Sequence, residues 1–342
     1  MVHIRRQPSE VGKSTAWNGK DRRRSRIIFL AIALAVLLLL PLSRPIIGGT
    51  FNYVMQMTTI GLMWVALATS WNLIGGYAGY ISLGNNVFFG IGGYLAGGLL
   101  VFLGWSPFLT AILAGLAGFG LGLVVGLITL RTRGPAFIIA TIALLLMAAL
   151  IFDNWELMGG SNGLSLPLPQ FPPQWTRVPF YLAMLAAAAG SVLLSWTVAH
   201  TKLGLGLRAL AQDEVKAAVL GINTSRYKII AFALSGIFPA VVGSIWGYSL
   251  TYLRPSIFFT IGIAAQMVLM AIIGGRGTVV GPAIGAILVV AVNEASVAQL
   301  GSSELNIVVT GGILIAVLLF FPLGIVGSLR KQGRLPSFLD WD

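Results

Sequence analysis

Ten apolar stretches, at about 27–42, 51–72, 82–103, 105–130, 134–152, 180–199, 229–252, 257–273, 278–293 and 305–323, contain no Asp, Glu, Lys or Arg. A charge at the centre of a lipid-embedded helix costs about 2.5–3.5 kcal/mol, so this pattern is the one a bilayer demands. The stretches are too long for strands. They are continuously apolar rather than alternating, which excludes a membrane barrel. Composition agrees: 57% of the 342 residues are hydrophobic and 9% are charged, against roughly 25% charged in a soluble domain. At ~20 residues per crossing, that apolar content suffices for about ten helices. A soluble enzyme, a nucleic-acid binder and a disordered chain all fit this composition poorly. The expected fold is an all-α polytopic integral membrane protein with about ten transmembrane helices and both termini cytoplasmic.

The distribution of Lys and Arg sets the orientation. With the N-terminus inside, 19 of the 22 basic residues fall on the cytoplasmic side, and only Arg44, Arg177 and Arg254 fall outside. The acids divide six inside and four outside, Asp153, Glu156, Glu294 and Glu304 being the external ones. The net charge of +12 is therefore a topology signal and requires no nucleic acid. Residues 1–26 read as a basic cytoplasmic tail, 27–325 as the transmembrane domain and 326–342 as a cytoplasmic C-terminal tail.

The run from Ile27 to Leu42 resembles a secretory h-region. Pro41-Leu42-Ser43-Arg44-Pro45 offers no small-x-small cleavage site, so an uncleaved anchor is expected. Val11-Gly12-Lys13-Ser14-Thr15 imitates half a P-loop, but Gln7 stands where its first Gly belongs and no strand precedes it. The chain lacks cysteine, which excludes disulfides, thiolate catalysis and zinc–sulfur sites. His3 and His200 read as tail and interfacial residues. No metal site and no cofactor is expected.

Two hydrophilic segments interrupt the spans. The external loop 153–179 contains Gly159-Gly160-Ser161-Asn162-Gly163 and five prolines, a turn-rich and rigid composition. It reads either as a connector or as a docking ledge, with Trp155 and Trp175 at headgroup level. The cytoplasmic segment 201–228 places Leu207, Ala211, Val215, Ala218, Val219 and Ile222 at helical spacing, with Arg208, Gln212 and Lys216 on a polar side. It predicts one short amphipathic helix, lying in the interface or inserted into a groove of a soluble partner.

Small-residue stripes at Gly118-x3-Gly122-x3-Gly126, Gly93-x3-Gly97, Gly243-x3-Gly247 and Gly281-x3-Gly285 predict close helix approach. Gly75-Gly76-Tyr77-Ala78-Gly79 and Gly274-Gly275-Arg276-Gly277 each follow an Ile at the end of an apolar run, a trace of an internal repeat.

No catalytic constellation is visible in the spans, and no Asp, Glu or His chain offers a proton relay. Uphill transport would then draw its energy from another subunit. The polar uncharged residues Gln56, Asn72, Ser82, Asn85, Asn86, Thr141, Gln266 and Asn293 are the pathway candidates, each with helix-to-helix glue as its alternative. The Asn72–Asn86 stretch is the richest. Its Gly-rich 72–81 portion is a candidate re-entrant segment, because broken backbone is tolerated only where it lines protein or a water-filled cavity.

At these residues a resemblance emerges. Asn72-Leu-Ile-Gly-Gly-Tyr-Ala-Gly79 with Ser82-Leu-Gly84 and Phe88-Phe-Gly-Ile-Gly92, Arg131-Thr-Arg-Gly-Pro135 and Gly159-Gly-Ser-Asn-Gly-Leu164 open the pattern. Arg208-Ala-Leu, Asp213-Glu214, Leu220-Gly-Ile222, Arg226-Tyr-Lys228 and Gly274-Gly-Arg-Gly-Thr278 with Gly281-Pro282 continue it in order. Together they resemble the membrane permease subunit of branched-chain amino-acid ABC importers, in its M-type (LivM-like) form. Asn85 stands where relatives commonly carry His, and the basic N-terminal tail is long.

The resemblance implies a bacterial inner-membrane importer and a chain that is not itself an enzyme. A second permease subunit would complete the pore as a heterodimer. Two ATP-binding subunits would sit on the cytoplasmic side, and a solute-binding protein would deliver the ligand. Arg208, Asp213, Glu214 and Gly221 would then be the ATPase coupling contacts, and Gly159–Gly163 the docking loop for the binding protein. Relatives in the same superfamily carry urea, amides or aromatic acids. A self-sufficient secondary carrier and a structural membrane subunit are the alternatives from other classes.

Overall fold

The computed structural model describes residues 32–44, 48–129, 134–172, 175–301 and 323–333, with isolated residues between 308 and 321 and at 336 and 341. The 1–26 tail, the P-loop imitation, Arg131, Arg133 and most of the tenth predicted span lie outside these residues.

Eight helical stretches among the described residues are long and apolar enough to cross a membrane. They contain α1 (Phe51–Asn72), α2 (Asn85–Leu103), α3 (Pro107–Thr129), α4 (Pro135–Asp153) and α5 (Arg177–Ala199). After the short helices α6 (Lys202–Gln212) and α7 (Glu214–Val219) come α8 (Thr224–Leu250), α9 (Ile261–Gly274) and α10 (Gly281–Leu300). A short apolar helix at Ile32–Ser43 falls on the first predicted span, and α11 (Gly324–Lys331) closes the described chain. The molecule is an all-α, multi-pass membrane protein. Sequence and structure differ at several ends. Helix α8 begins early enough to include Arg226 and Lys228, and α10 continues through Glu294 to Leu300.

Helix α1 is central, and its residues from Leu62 to Asn72 are all buried. A helix apolar on every side belongs inside a bundle. The glycine stripes explain how its neighbours close around it. A Cβ at Gly118 would meet the Gly236 carbonyl, and one at Gly122 the Ala233 backbone, so α3 lies directly on α8. A Cβ at Gly92 would collide with the Ala240 carbonyl and one at Gly243 with the Phe89 carbonyl, which fastens α2 to the same helix. Gly281 and Gly285 meet the end of α9 in the same way. The stripes that hold Gly118 with Gly122, Gly243, and Gly281 with Gly285 therefore lie at helix interfaces, while in the Gly93-x3-Gly97 stripe Gly93 meets the Gly243 carbonyl and Gly97 meets the side chains of Leu253, Leu166 and Leu164.

The segments assigned by charge to one side meet at one end of the bundle. At this basic end Tyr80 bonds Glu214, its ring packs edge-on against Phe137, and α11 places Val326 beside Gly275. At the opposite end β1 (Leu164–Ser165) pairs antiparallel with β2 (Tyr252–Leu253), and Phe108 packs on Phe171 and Tyr248. Here the loop 153–179 is clamped: Leu166 N–H donates to the Thr251 carbonyl at 2.8 Å, and the Tyr252 hydroxyl donates to the Asn162 carbonyl.

Gly92→Ala should force the α2–α8 backbones apart and cost about 1–3 kcal/mol, the usual penalty of overpacking. A lower thermal midpoint of the detergent-solubilised protein is the expected reading.

Candidate functional site

Two breaks in regular backbone define the site. After α1 the chain continues as a π-helical turn, Leu73–Tyr77, and then runs without helix or strand from Ala78 to Gly84 before α2 begins. A second break separates the helical turn Pro255–Phe258 from α9. Freed N–H and C=O groups at membrane depth cost several kcal/mol each unless the protein satisfies them.

Side chains satisfy them here. The Trp71 indole donates to the Ser82 carbonyl at 2.7 Å, and Thr141 Oγ1 accepts from Leu83 N–H at 3.2 Å. Ser82 Oγ accepts from Gly84 N–H. The Asn86 amide nitrogen donates to both the Phe258 and the Thr260 carbonyls, at 2.8 and 2.9 Å, and so closes the second break from across the bundle. Thr260 caps α9 by accepting from Ile263 N–H. Asn85 donates to Ser235 Oγ at 3.0 Å. Asn72 clamps the α9–α10 turn with both ends of its amide: it accepts from Gly277 N–H at 2.8 Å and donates to the Thr278 carbonyl at 2.9 Å. The two glycine-rich segments noted in the sequence thus face each other. A Cβ at Gly76 would collide with Asn72 Oδ1 and crowd Gly277 N.

Asn72, Ser82, Asn85, Asn86 and Thr141 are brought together around these breaks, and all are fully buried. Gln56, Gln266 and Asn293 are not: among the described residues they share no hydrogen bond with the group. Gln56 and Asn293 are half-buried, and Gln266 is exposed on α9. Ser235, Thr260 and Thr278 complete the cluster and were not among the sequence candidates. Oδ1 of Asn85 and of Asn86 are buried acceptors with no hydrogen-bond partner among the described residues, so the cluster retains unused acceptor capacity.

At the basic end the single amphipathic helix expected for 201–228 is two helices. Asp213 breaks it and caps α7, accepting from Val215 and Lys216 N–H at 3.0 Å each. Asp competes with the helix for backbone donors and favours this position. The Lys216 backbone N–H, then the Lys216 ammonium, hold the Asp213 carboxyl below the usual carboxylate range. The cap is present above that range and is lost as pH falls through the lowered value. The break re-aims the helix face. Val215, Val219 and Leu220 point to solvent, 63%, 82% and 78% exposed, while Ala217 is buried.

Glu214 points inward. It pairs with Lys228 Nζ at 2.9 Å and accepts from the Tyr80 hydroxyl. The Lys228 side chain is 3% exposed, and its ammonium lies 5.0 Å above the Tyr80 ring. Arg208 stacks over Tyr77 at 5.6 Å. Gly221 is exposed with φ +86°. In the loop at the opposite end Ser161 and Asn162 are exposed, while Gly160 is buried and Gly159 and Gly163 are half-buried. All three of these glycines have positive φ, and a Cβ at Gly163 would crowd the Leu253 carbonyl.

Comparison with known proteins gives this architecture a family. Residues 49–318 match the family described as the branched-chain amino acid transport system, permease component. The chain belongs to this permease family. It is 24% identical over 309 residues to the high-affinity branched-chain amino acid transport system permease protein LivM of Salmonella typhimurium, covering 82% of this chain and 72% of that one. It is 33% identical over 177 residues to LivH of the same organism and system, covering 52% of this chain and 54% of LivH. The ribose import permease RbsC of Escherichia coli is 28% identical over 197 residues, covering 52% of this chain and 58% of RbsC. One named system thus contains two permease proteins that this permease resembles. The matched region spans every helix from α1 to α10.

Asn72→Leu keeps the branched four-atom side chain, with more bulk, and removes both hydrogen bonds to the α9–α10 turn. It should cost about 1–3 kcal/mol, the penalty of stranding buried backbone groups. The thermal midpoint in detergent is the measurement.

Proposed function

We propose that this chain is the permease subunit of an ABC importer in a bacterial inner membrane, and that it forms the pathway for branched-chain or related amino acids with a second permease subunit. The observation that carries the proposal is the apolar knob at the basic end. Val219 and Leu220 stand almost fully exposed beside Lys216 and the Asp213 cap, at the end that charge assigns to the cytoplasm. Apolar side chains held in water mark a surface that a partner covers. Two ATP-binding subunits are that partner, with Asp213 and Gly221 at the contact and Arg208 behind it.

Gln266 supports the second permease subunit. A side-chain amide turned to lipid loses its hydrogen bonds, so Gln266 faces another protein surface or a polar path. Gln56 on α1 and Asn293 on α10, which packs against α1, are half-buried amides open to the same reading. At the opposite end the clamped loop presents Ser161 and Asn162 with Leu157 and Leu168, 60% and 77% exposed, as the ledge for a solute-binding protein. Asn85 and Asn86, with their unused oxygens, are the acceptors a solute ammonium would find when the breaks part.

The test is reconstitution. The complex in proteoliposomes should take up leucine only with ATP inside and binding protein outside, and the chain alone should accumulate nothing under a proton or sodium gradient. Accumulation by the chain alone would mean a secondary carrier. The similarity to a ribose permease makes ribose the control solute, and ATP-driven uptake of ribose instead of leucine would move the substrate class.

A further inference from the structure

The cytoplasmic helices hold the irregular segment after α1 at three successive points. Arg208 lies over the Tyr77 ring. Ala211 packs against Gly79, where an added Cβ would come within 3.3 Å of the Ala211 Cβ and where φ of +77° already favours glycine. Glu214 accepts from the Tyr80 hydroxyl and is itself held by Lys228 of α8. Residues 208, 211 and 214 are spaced three apart and meet residues 77, 79 and 80. The far end of the held segment is Ser82 to Asn86, which carries the buried amides of the candidate pathway. Asn85 follows Tyr80 by five positions, at most about 18 Å of chain.

We propose that Tyr80, Glu214 and Lys228 are positioning residues that transmit displacement of α7 into segment 78–84, and through it to Asn85 and Asn86. This rests on the reading of α7 as the ATPase contact. The exposed face of α7, Val215 with Val219 and Leu220, receives the push. The buried face, Glu214, passes it on. A buried ion pair holds a fold no better than apolar residues of the same volume, so stability alone does not account for Lys228 and Glu214. A charged pair shared with a tyrosine hydroxyl gives a directional link, one that an apolar contact would let slide. The link is taut beyond Tyr80, because the Ser82 carbonyl is fixed to Trp71 and Leu83 N–H to Thr141. Neither Tyr80 nor Lys228 touches the exposed face, so substitution there leaves the partner's surface intact.

The test uses the assembled complex with Tyr80→Phe, Glu214→Gln and Lys228→Arg. Tyr80→Phe is the mild variant, because its ring still packs on Phe137 and under the Lys228 ammonium. Two quantities are measured: leucine transported per ATP hydrolysed, and hydrogen exchange of 78–84 and 214–220 with and without a non-hydrolysable ATP analogue. Transport per ATP should fall at least tenfold in Tyr80→Phe and Glu214→Gln and recover to within about threefold in Lys228→Arg. Nucleotide should change exchange in both segments of the wild type, but only in 214–220 of the first two variants. Nucleotide-dependent exchange at 78–84 that persists in both variants would overturn the proposal. A wild-type complex that takes up no leucine overturns the substrate reading instead, and the exchange comparison still decides this one.

Discussion

Backbone in lipid has no water to bond, and the rest of this structure follows from that constraint. Helices satisfy their own backbone, so a bundle of eight long apolar helices is free of the problem until it breaks one. This protein interrupts regular backbone at 78–84, between two of these helices, and at 259–260, within one candidate span. Each break is repaired by buried side chains on other helices. Asn86 closes the second break, and Trp71 and Thr141 repair the first, while Asn72 pins the neighbouring α9–α10 turn. The amides and hydroxyls proposed as a solute pathway are thus the members that hold the irregular backbone in place. Of the two alternatives for each residue, the hydrogen bonds display the glue.

The same constraint explains where charge goes. Within the described spans, charge keeps to the helix ends at Asp153, Arg177 and Arg226 with Lys228 on the first turns of α8, and Glu294 alone lies inside a helix, six residues before the end of α10. Lys228 is the informative one. It is buried, and its partners come from α7 and from the irregular segment after α1. The largest feature between spans at the basic end is therefore a continuation of the bundle's polar interior rather than an appendage lying on a surface.

Much of this was legible in the sequence. Charge-free runs located the helices, and glycine spacing located the interfaces, because both are local consequences of lipid and of close packing. Asn72, Ser82, Asn85, Asn86 and Thr141 were legible as polar groups out of place. Their partners were not: Ser235, Thr260 and Thr278 lie between 150 and 206 residues from the side chains they serve, and isolated hydroxyls carry no pattern. Gln56, Gln266 and Asn293 looked the same in composition but lie on faces that leave the cluster. The break at Asp213 was hidden because an Asp on a polar helix face and an Asp capping the next helix occupy the same place in a periodic pattern. Glu214 reversed direction for that reason, and an expected surface contact is an internal pair.

The measurement that bears most directly on this account is the thermal unfolding midpoint of Asn86→Leu in lipid nanodiscs. Leucine keeps the branched four-atom side chain of asparagine, with more bulk, and removes the two donors that close the break at Phe258 and Thr260. If amides repair the backbone, the midpoint falls by several degrees, the signature of about 1–3 kcal/mol, and hydrogen exchange rises across 259–263. A midpoint equal to that of the wild type, with exchange unchanged there, would contradict the account.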